Sequence, residues 1–248
     1  MSKTVLEIVQ SVLNDIDGDE VNSIDDTIEA QQIANIVQST FENIVSTKDW
    51  LHTRTLGQLS GSGTSARPTH MTLPVGCKRV DMISYDIKAT GETRNKWREI
   101  KYKYPDDFLR YTNVRDNTQT NITAVTDPSG VTLHIRNDIP PTYYTSFDEE
   151  TLVFDSYDSV IDSTLQASKT QIIHYVIPTL TISDAAEPDL PDEAMVHLIE
   201  EVKSRVSLKL RQVQDVKSEQ GSVITGRWLS QNDWKVKGGI RYENYGRK

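Results

Sequence analysis

The stretch from Ser23 to Trp50 constrains the fold most, because it carries the longest unbroken helical pattern in the chain. Ile33, Ile36, Val37, Thr40, Phe41, Ile44 and Val45 recur at three and four residues and form one apolar stripe. Gln31, Gln32, Asn35, Gln38, Glu42 and Asn43 occupy the rest of the circumference. Ser23 or Asp25 is placed to cap the first turn, and Asp25, Asp26 and Glu29 sit where the helix dipole favours negative charge. Such a helix, roughly 30 Å long, needs apolar partners along its length.

Two segments supply them. Val5, Ile8, Val9, Val12, Leu13 and Ile16 predict an amphipathic helix from Ser2 to about Ile16, paired with the first as an antiparallel hairpin. Met195, Ile199, Val202, Val206, Leu210 and Val213 predict a third helix, opened by Pro191, Asp192 and Glu193. From about Cys77 to Pro178 the period changes to two. Ile83, Tyr85 and Ile87, then Ile100, Tyr102 and Tyr104, then Val131, Leu133 and Ile135, then Ile173, Tyr175 and Ile177 alternate with other residues, so each set is expected to face one side of an antiparallel sheet. Pro105 to Leu109 reads as a short helix, and Ala89 to Glu92, Asp127 to Gly130 and Asn137 to Pro141 as turns. The glycine- and serine-rich stretch after Trp50 reads as a flexible crossing loop.

The expected fold class is therefore α+β: a long-helix bundle with an inserted antiparallel β domain and an extended C-terminal tail. The expected boundaries are 1–55 for the N-terminal helices of the bundle, 56–183 for the inserted β domain, 184–220 for the C-terminal helix and 221–248 for the tail. Gly221, Gly226, Gly238, Gly239 and Gly246 favour an extended tail. Its aromatics are unusual for a disordered segment and suit anchors that order against a neighbour. The alternative is that they fold back on the chain's own helices.

Motifs for chemistry are weak. Asp15, Asp17, Asp19 and Asp26 imitate a calcium loop, but Glu20 stands where the tight-turn glycine belongs and no terminal glutamate follows. Gly61, Gly63 and Ala66 imitate a dinucleotide fingerprint, yet Arg67 and Pro68 lead into an extended segment rather than a helix. Asp148, Glu149 and Glu150 are neighbours in a polar turn, which leaves them solvated rather than tuned as acid and base. His52, His70, His134, His174 and His197 show no metal spacing, and Cys77 is the single cysteine, so no disulfide, metal site or cofactor is expected. Tyr143, Tyr144, Phe147, Phe154 and Tyr157 read as sheet packing rather than a stacking platform for sugars or bases. No apolar run is long enough to cross a bilayer and no secretion signal is evident, so the expected setting is a reducing cytosol without a membrane partner.

Charge is segregated. The net charge is -9, yet Met1 to Ser46 holds nine acids against one lysine, while Gly221 to Lys248 holds six bases against two acids. Such an arrangement suits differently charged partners and disfavours binding to nucleic acid phosphates.

The N-terminal LEIVQSVLNDIDGDEVNSIDDTIEAQQIANIVQSTF, then RPTHMTLP, PDDFLRY and PPTYYTSFDEETLVFDSYD, and finally a helix with a basic aromatic tail, together resemble the head-to-tail adaptor, or tail tubular protein A, of short-tailed bacteriophages. The resemblance implies a structural virion protein, made in the host cytoplasm and carrying no enzymatic activity. It implies a homo-oligomeric ring, a dodecamer, between the portal protein and the tail nozzle protein, forming part of the DNA ejection channel, with tail fibres as further neighbours and no sequence-specific DNA recognition. Within it, Arg227, Trp228, Trp234, Lys235, Lys237, Arg241, Tyr242 and Tyr245 are the expected portal-docking residues. The rival expectations are a tail component that binds or depolymerises carbohydrate and a cytosolic regulatory protein.

Overall fold

The computed structural model describes residues 3–232 apart from Gly63 and Thr90. The N-terminal helices are α1 (Val5–Asp15) and α2 (Ile28–Thr47). Strands β1 (Arg54–Gly57), β2 (Ser60–Gly61), β3 (His70–Thr72), β4 (Cys77–Asp86) and β5 (Trp97–Tyr102) follow, and then helix α3 (Pro105–Asn113). Strands β6 (Ile122–Thr126), β7 (Thr132–Arg136), β8 (Tyr143–Ser146), β9 (Thr151–Phe154) and β10 (Thr170–Val176) precede the last helices, α4 (Asp192–Leu210) and α5 (Val216–Asn232). The chain divides into two compact units, one built from its two ends, up to Thr53 and from Ile177, and one spanning Arg54–Val176.

In the helical unit, Val5, Ile8, Val9, Val12 and Leu13 of α1, Ile33, Val37, Phe41 and Val45 of α2, and Met195, Leu198, Val202 and Val206 of α4 form one buried core. Helix α1 begins with a reciprocal cap: Glu7 N–H donates to Thr4 Oγ1 at 3.2 Å and Thr4 N–H donates to Glu7 Oε2 at 3.1 Å. It stops where Asp17 turns left-handed (φ 56°) and Gly18 N–H donates back to Leu13 O. Helix α2 starts later than expected. Its cap is Thr27, which accepts from Ala30 N–H at 3.1 Å, rather than Ser23 or Asp25. Asp26 instead folds back to accept from the N–H groups of Asn22 and Ser23 at 2.7 and 2.8 Å, holding that segment in a turn.

In the other unit, eight strands run in the order β1-β10-β4-β5-β8-β9-β3-β2, and β6 and β7 form a separate hairpin. Ile83, Tyr85, Ile100, Phe108, Leu133, Ile135, Val153, Phe154 and Ile172 fill its core. Two expected strand faces break partway along the strand. Tyr102 and Tyr104 are exposed beyond buried Ile100, because β5 leaves β4 there and its end pairs with β8. In β10 the register shifts after Ile173 and again after Tyr175, so Ile172, His174 and Tyr175 are buried while Ile177 is exposed.

The expected long-helix bundle with an inserted antiparallel domain is thus corrected: the largest assembly is the eight-stranded sheet, and the helices number five among the described residues. The sheet is mixed, since β5 and β8 are parallel. It reaches eight strands because the segment expected to be a crossing loop supplies β1, β2 and β3, whose backbone groups pair although β1 and β2 bury almost nothing. The bundle shrinks because α1 has only 11 residues, against 20 for α2 and 19 for α4. The expected extended tail is corrected as far as Asn232, where the chain is helix α5, running through Gly221 and Gly226.

Candidate functional site

Helix α5 is built inside out. Ser218, Ser222, Thr225 and Leu229 lie along one side and pack on α4, with Ser218, Ser222 and Leu229 buried. Val216, Val223 and Ile224 lie on the opposite side with Arg227, and all four are exposed, Ile224 by 66%. An amphipathic helix ordinarily does the reverse. The inward face works through polar contacts. Ser222 Oγ donates to Glu201 Oε2 at 2.6 Å and Arg205 Nε donates to Glu201 Oε1 at 2.9 Å, while His197 Nδ1 lies 3.1 Å from Thr225 Oγ1. Burial pushes the Glu201 carboxyl up, but Ser222 and Arg205 together outweigh it and leave its pKa below the ordinary glutamate value. The carboxylate therefore stays charged and ties both helices together.

The glycines serve the same seam. A Cβ at Gly221 would stand 3.2 Å from Glu200 Oε2, and one at Gly226 would stand 3.2 Å from His197 Cε1. They permit close approach of α5 to α4 rather than an extended chain. Beside this seam lies a groove of about 500 Å³ lined by Thr47, Lys48, Trp50, His197, Arg205 and Gly226. Trp50 is fixed by donating Nε1–H to Ile44 O at 2.9 Å, and Lys48 Nζ sits 4.9 Å from its ring centre.

Of the residues expected to dock, Arg227 is exposed on the outward face of α5, and Trp228 belongs to the same helix. Trp234, Lys235, Lys237, Arg241, Tyr242 and Tyr245 lie outside the described residues. Sequence reasoning missed Val216, Val223 and Ile224, although their spacing of seven and eight residues places them on one helical face.

The sheet unit carries a second ordered cluster. Arg115 donates to His134 O, Asp155 O and Asp155 Oδ2 at 2.9, 2.7 and 3.3 Å, and the buried Asp155 Oδ1 accepts from the N–H groups of Thr142 and Tyr143 at 2.9 and 2.8 Å. The Arg115 guanidinium lies 4.6 Å from the ring centre of Tyr111, and Lys103 Nζ lies 5.1 Å from Tyr111 and 4.5 Å from Tyr143. These rings already engage cations. Phe154 and Tyr157 are buried, Tyr143 and Tyr144 half-buried, and Phe147 exposed.

One group of side chains imitates a hydrolytic triad. His70 Nε2 lies 3.2 Å from Asp127 Oδ1, and Ser129 Oγ donates to Asp127 Oδ2 at 2.6 Å. The order is wrong for nucleophilic catalysis, because the serine hydroxyl bonds to the carboxylate rather than to the imidazole that would take its proton. Asp148 accepts from the N–H groups of Glu150 and Thr151, so it stabilises a turn. Asp15, the last residue of α1, pairs with Lys203 at 2.5 Å, while Asp26 in the acidic interhelical loop is turned to its own backbone. Among the described residues no group of three or more His, Cys, Asp or Glu converges to hold a metal ion, and no helix is long and apolar enough to cross a membrane.

No known protein family matches the chain, and no curated protein is similar to it.

Proposed function

We propose that the protein is a structural head-to-tail adaptor, a subunit of a homo-oligomeric ring that joins a portal protein to a tail nozzle. In this reading α5 and the residues after it dock on the portal. The observation that carries the proposal is the inverted helix α5. Burying two serines while exposing two valines and an isoleucine costs stability in an isolated chain, and the cost is recovered when a partner covers the exposed side. Arg227 lies on that same side, and the segment after Asn232 adds Trp234, Tyr242 and Tyr245 with Lys235, Lys237 and Arg241, residue types that dominate interface energetics. The resemblance in sequence to adaptors supplies the partner.

The test is to replace Val223 and Ile224 together with aspartate in the full chain. Both side chains are exposed, so the variant is expected to melt within a few degrees of the parent. It is expected to lose attachment to portal-containing heads in a co-sedimentation assay. Attachment at the parent level would overturn the reading.

A further inference from the structure

A short basic, aromatic segment interrupts an otherwise acidic chain. From Arg94 to Tyr104 there are five bases, Arg94, Lys96, Arg98, Lys101 and Lys103, against Glu99 alone, together with Trp97, Tyr102 and Tyr104. The segment centres on β5, where only Ile100 is buried. Trp97, Tyr102 and Tyr104 are exposed, Tyr104 by 67%. Tyr102 packs edge-on against both Tyr104 and Tyr144 at 5.5 Å, and Tyr144 meets buried Phe154 at 6.1 Å, so the exposed rings are buttressed from the core. Lys96 pairs with Glu92 at 2.6 Å and Lys103 is engaged by two tyrosines. Arg94, Arg98 and Lys101 make no ion pair among the described residues.

The chain carries the complement of this surface. Between α1 and α2, Asp17, Asp19, Glu20, Asp25 and Asp26 are all exposed, and Asp17, Asp19 and Glu20 have no ion pair among the described residues. Ile28 stands 77% exposed next to them, at the first position of α2. A notch of about 250 Å³ lined by Gln10, Leu13, Asn14, Asp19 and Glu20 adjoins the loop. One surface thus offers bases around rigid aromatics, and the other offers acids around an apolar knob.

We propose that these two surfaces meet between copies of this chain, the β5 segment of one copy against the acidic α1–α2 loop of the next. Two different patches in contact make a head-to-tail interface, the kind that closes into rings. A polyanion such as nucleic acid suits the β5 segment less well. Glu99 lies in its middle, exposed Asp106 and Asp107 follow it directly, and the chain's net charge of -9 repels phosphate on either side. An acidic loop of limited length meets Arg98 and Lys101 without running on past Asp106 and Asp107 as a polyanion would. Both patches are small for a specific interface, so pairwise association is weak and strengthened by low salt. The inference extends the adaptor reading but does not rest on portal docking, because it concerns the chain alone.

The experiment is sedimentation of the full chain across concentration at low and high salt. It uses two charge-reversed variants, Arg98→Glu with Lys101→Glu, and Asp19→Lys with Glu20→Lys. All four side chains are exposed, and unchanged melting confirms that each variant folds. The wild type is expected to associate at low salt, and each variant to associate more weakly by on the order of tenfold. An equimolar mixture of the two is expected to associate like the wild type, since each then presents the complement of the other's altered patch. A wild type that stays monomeric, variants that associate as the wild type does, or a mixture that restores nothing would overturn the proposal. So would tight binding of a labelled single-stranded oligonucleotide that Arg98→Glu with Lys101→Glu abolishes, which would assign the segment to nucleic acid.

Discussion

His70 shows how one buried group couples the fold to pH. Burial lowers its pKa from 6.5, more than Asp127 raises it, and His70 Nδ1 is buried without a hydrogen-bond partner. Burial lowers the His174 pKa as well. In the unfolded chain both rings take a proton near pH 6.5, whereas the folded chain resists it. As pH falls below that value the unfolded state binds more protons and is favoured. Stability from these rings is therefore complete above about pH 6.5 and is lost as pH drops through their folded pKa values. Melting temperature is expected to hold from pH 7.5 to about 6.5 and to fall from there to pH 5, and His70→Gln is expected to flatten that slope in part, leaving the share of His174. An unchanged slope in the variant would remove His70 from this role. The ion pair of Arg115 with Asp155 has a different character: it is held by backbone groups on both sides, and it joins the end of α3 to β7, β8 and the residue after β9.

At the scale of elements, the packing of α5 on α4 separates two glycines that look alike in sequence. Alanine in a helix is favoured over glycine by about 1 kcal/mol. At Gly221 the added Cβ meets the carboxylate end of Glu200, which swings aside readily. At Gly226 it meets the ring of His197, held in place by Thr225. Gly221→Ala is therefore expected to raise the melting temperature by a few degrees, and Gly226→Ala to raise it less or lower it. Thermal melts of the two variants side by side decide this, and a larger gain at Gly226 would show that the seam is looser than the contact distances imply. The same seam explains why α5 tolerates exposed valines, since its attachment depends on Glu201, Ser222 and Arg205 rather than on an apolar stripe.

At the scale of the whole molecule, each unit has its own hydrophobic core. In the helical unit Val9, Val37 and Val202 are fully buried on three different helices drawn from both ends of the chain. Aspartate at any of them would place an unpaired charge among aliphatic side chains, at a cost of several kcal/mol. Val9→Asp, Val37→Asp and Val202→Asp are each expected to lower the midpoint of chemical denaturation markedly. Near-parental midpoints in all three would show that the ends of the chain do not share one core. Because that core is closed by residues far apart in sequence, it forms only once Ile177 and the segment beyond it have been synthesised.

The apolar seams of α1, α2 and α4 were legible in the sequence because a helical stripe is a local pattern: each residue's place on the circumference follows from its spacing alone. The strand at β4, the turns at Ala89, Asp127 and Asn137, and the short helix after Pro105 were legible for the same reason, although Ser84 and Asp86 are buried alongside Ile83 and Tyr85 instead of alternating with them. The cap at Thr27 was present in the sequence too, but Ser23 and Asp25 offered equivalent chemistry, and the choice depended on Asp26 turning back on the loop. Tertiary structure alone decided the rest. The eight-stranded sheet depends on backbone pairing between β1 and β10 and between β3 and β9, segments far apart in the chain, and backbone groups are the same in every residue. The burial of Ile172 and His174 beside Tyr175, with Ile177 left exposed, depends on register shifts against β4, which no period along one strand reveals. The outward face of α5 was decided by α4, whose Glu201 and His197 accept serine, threonine and glycine as neighbours and leave the valines and isoleucine exposed.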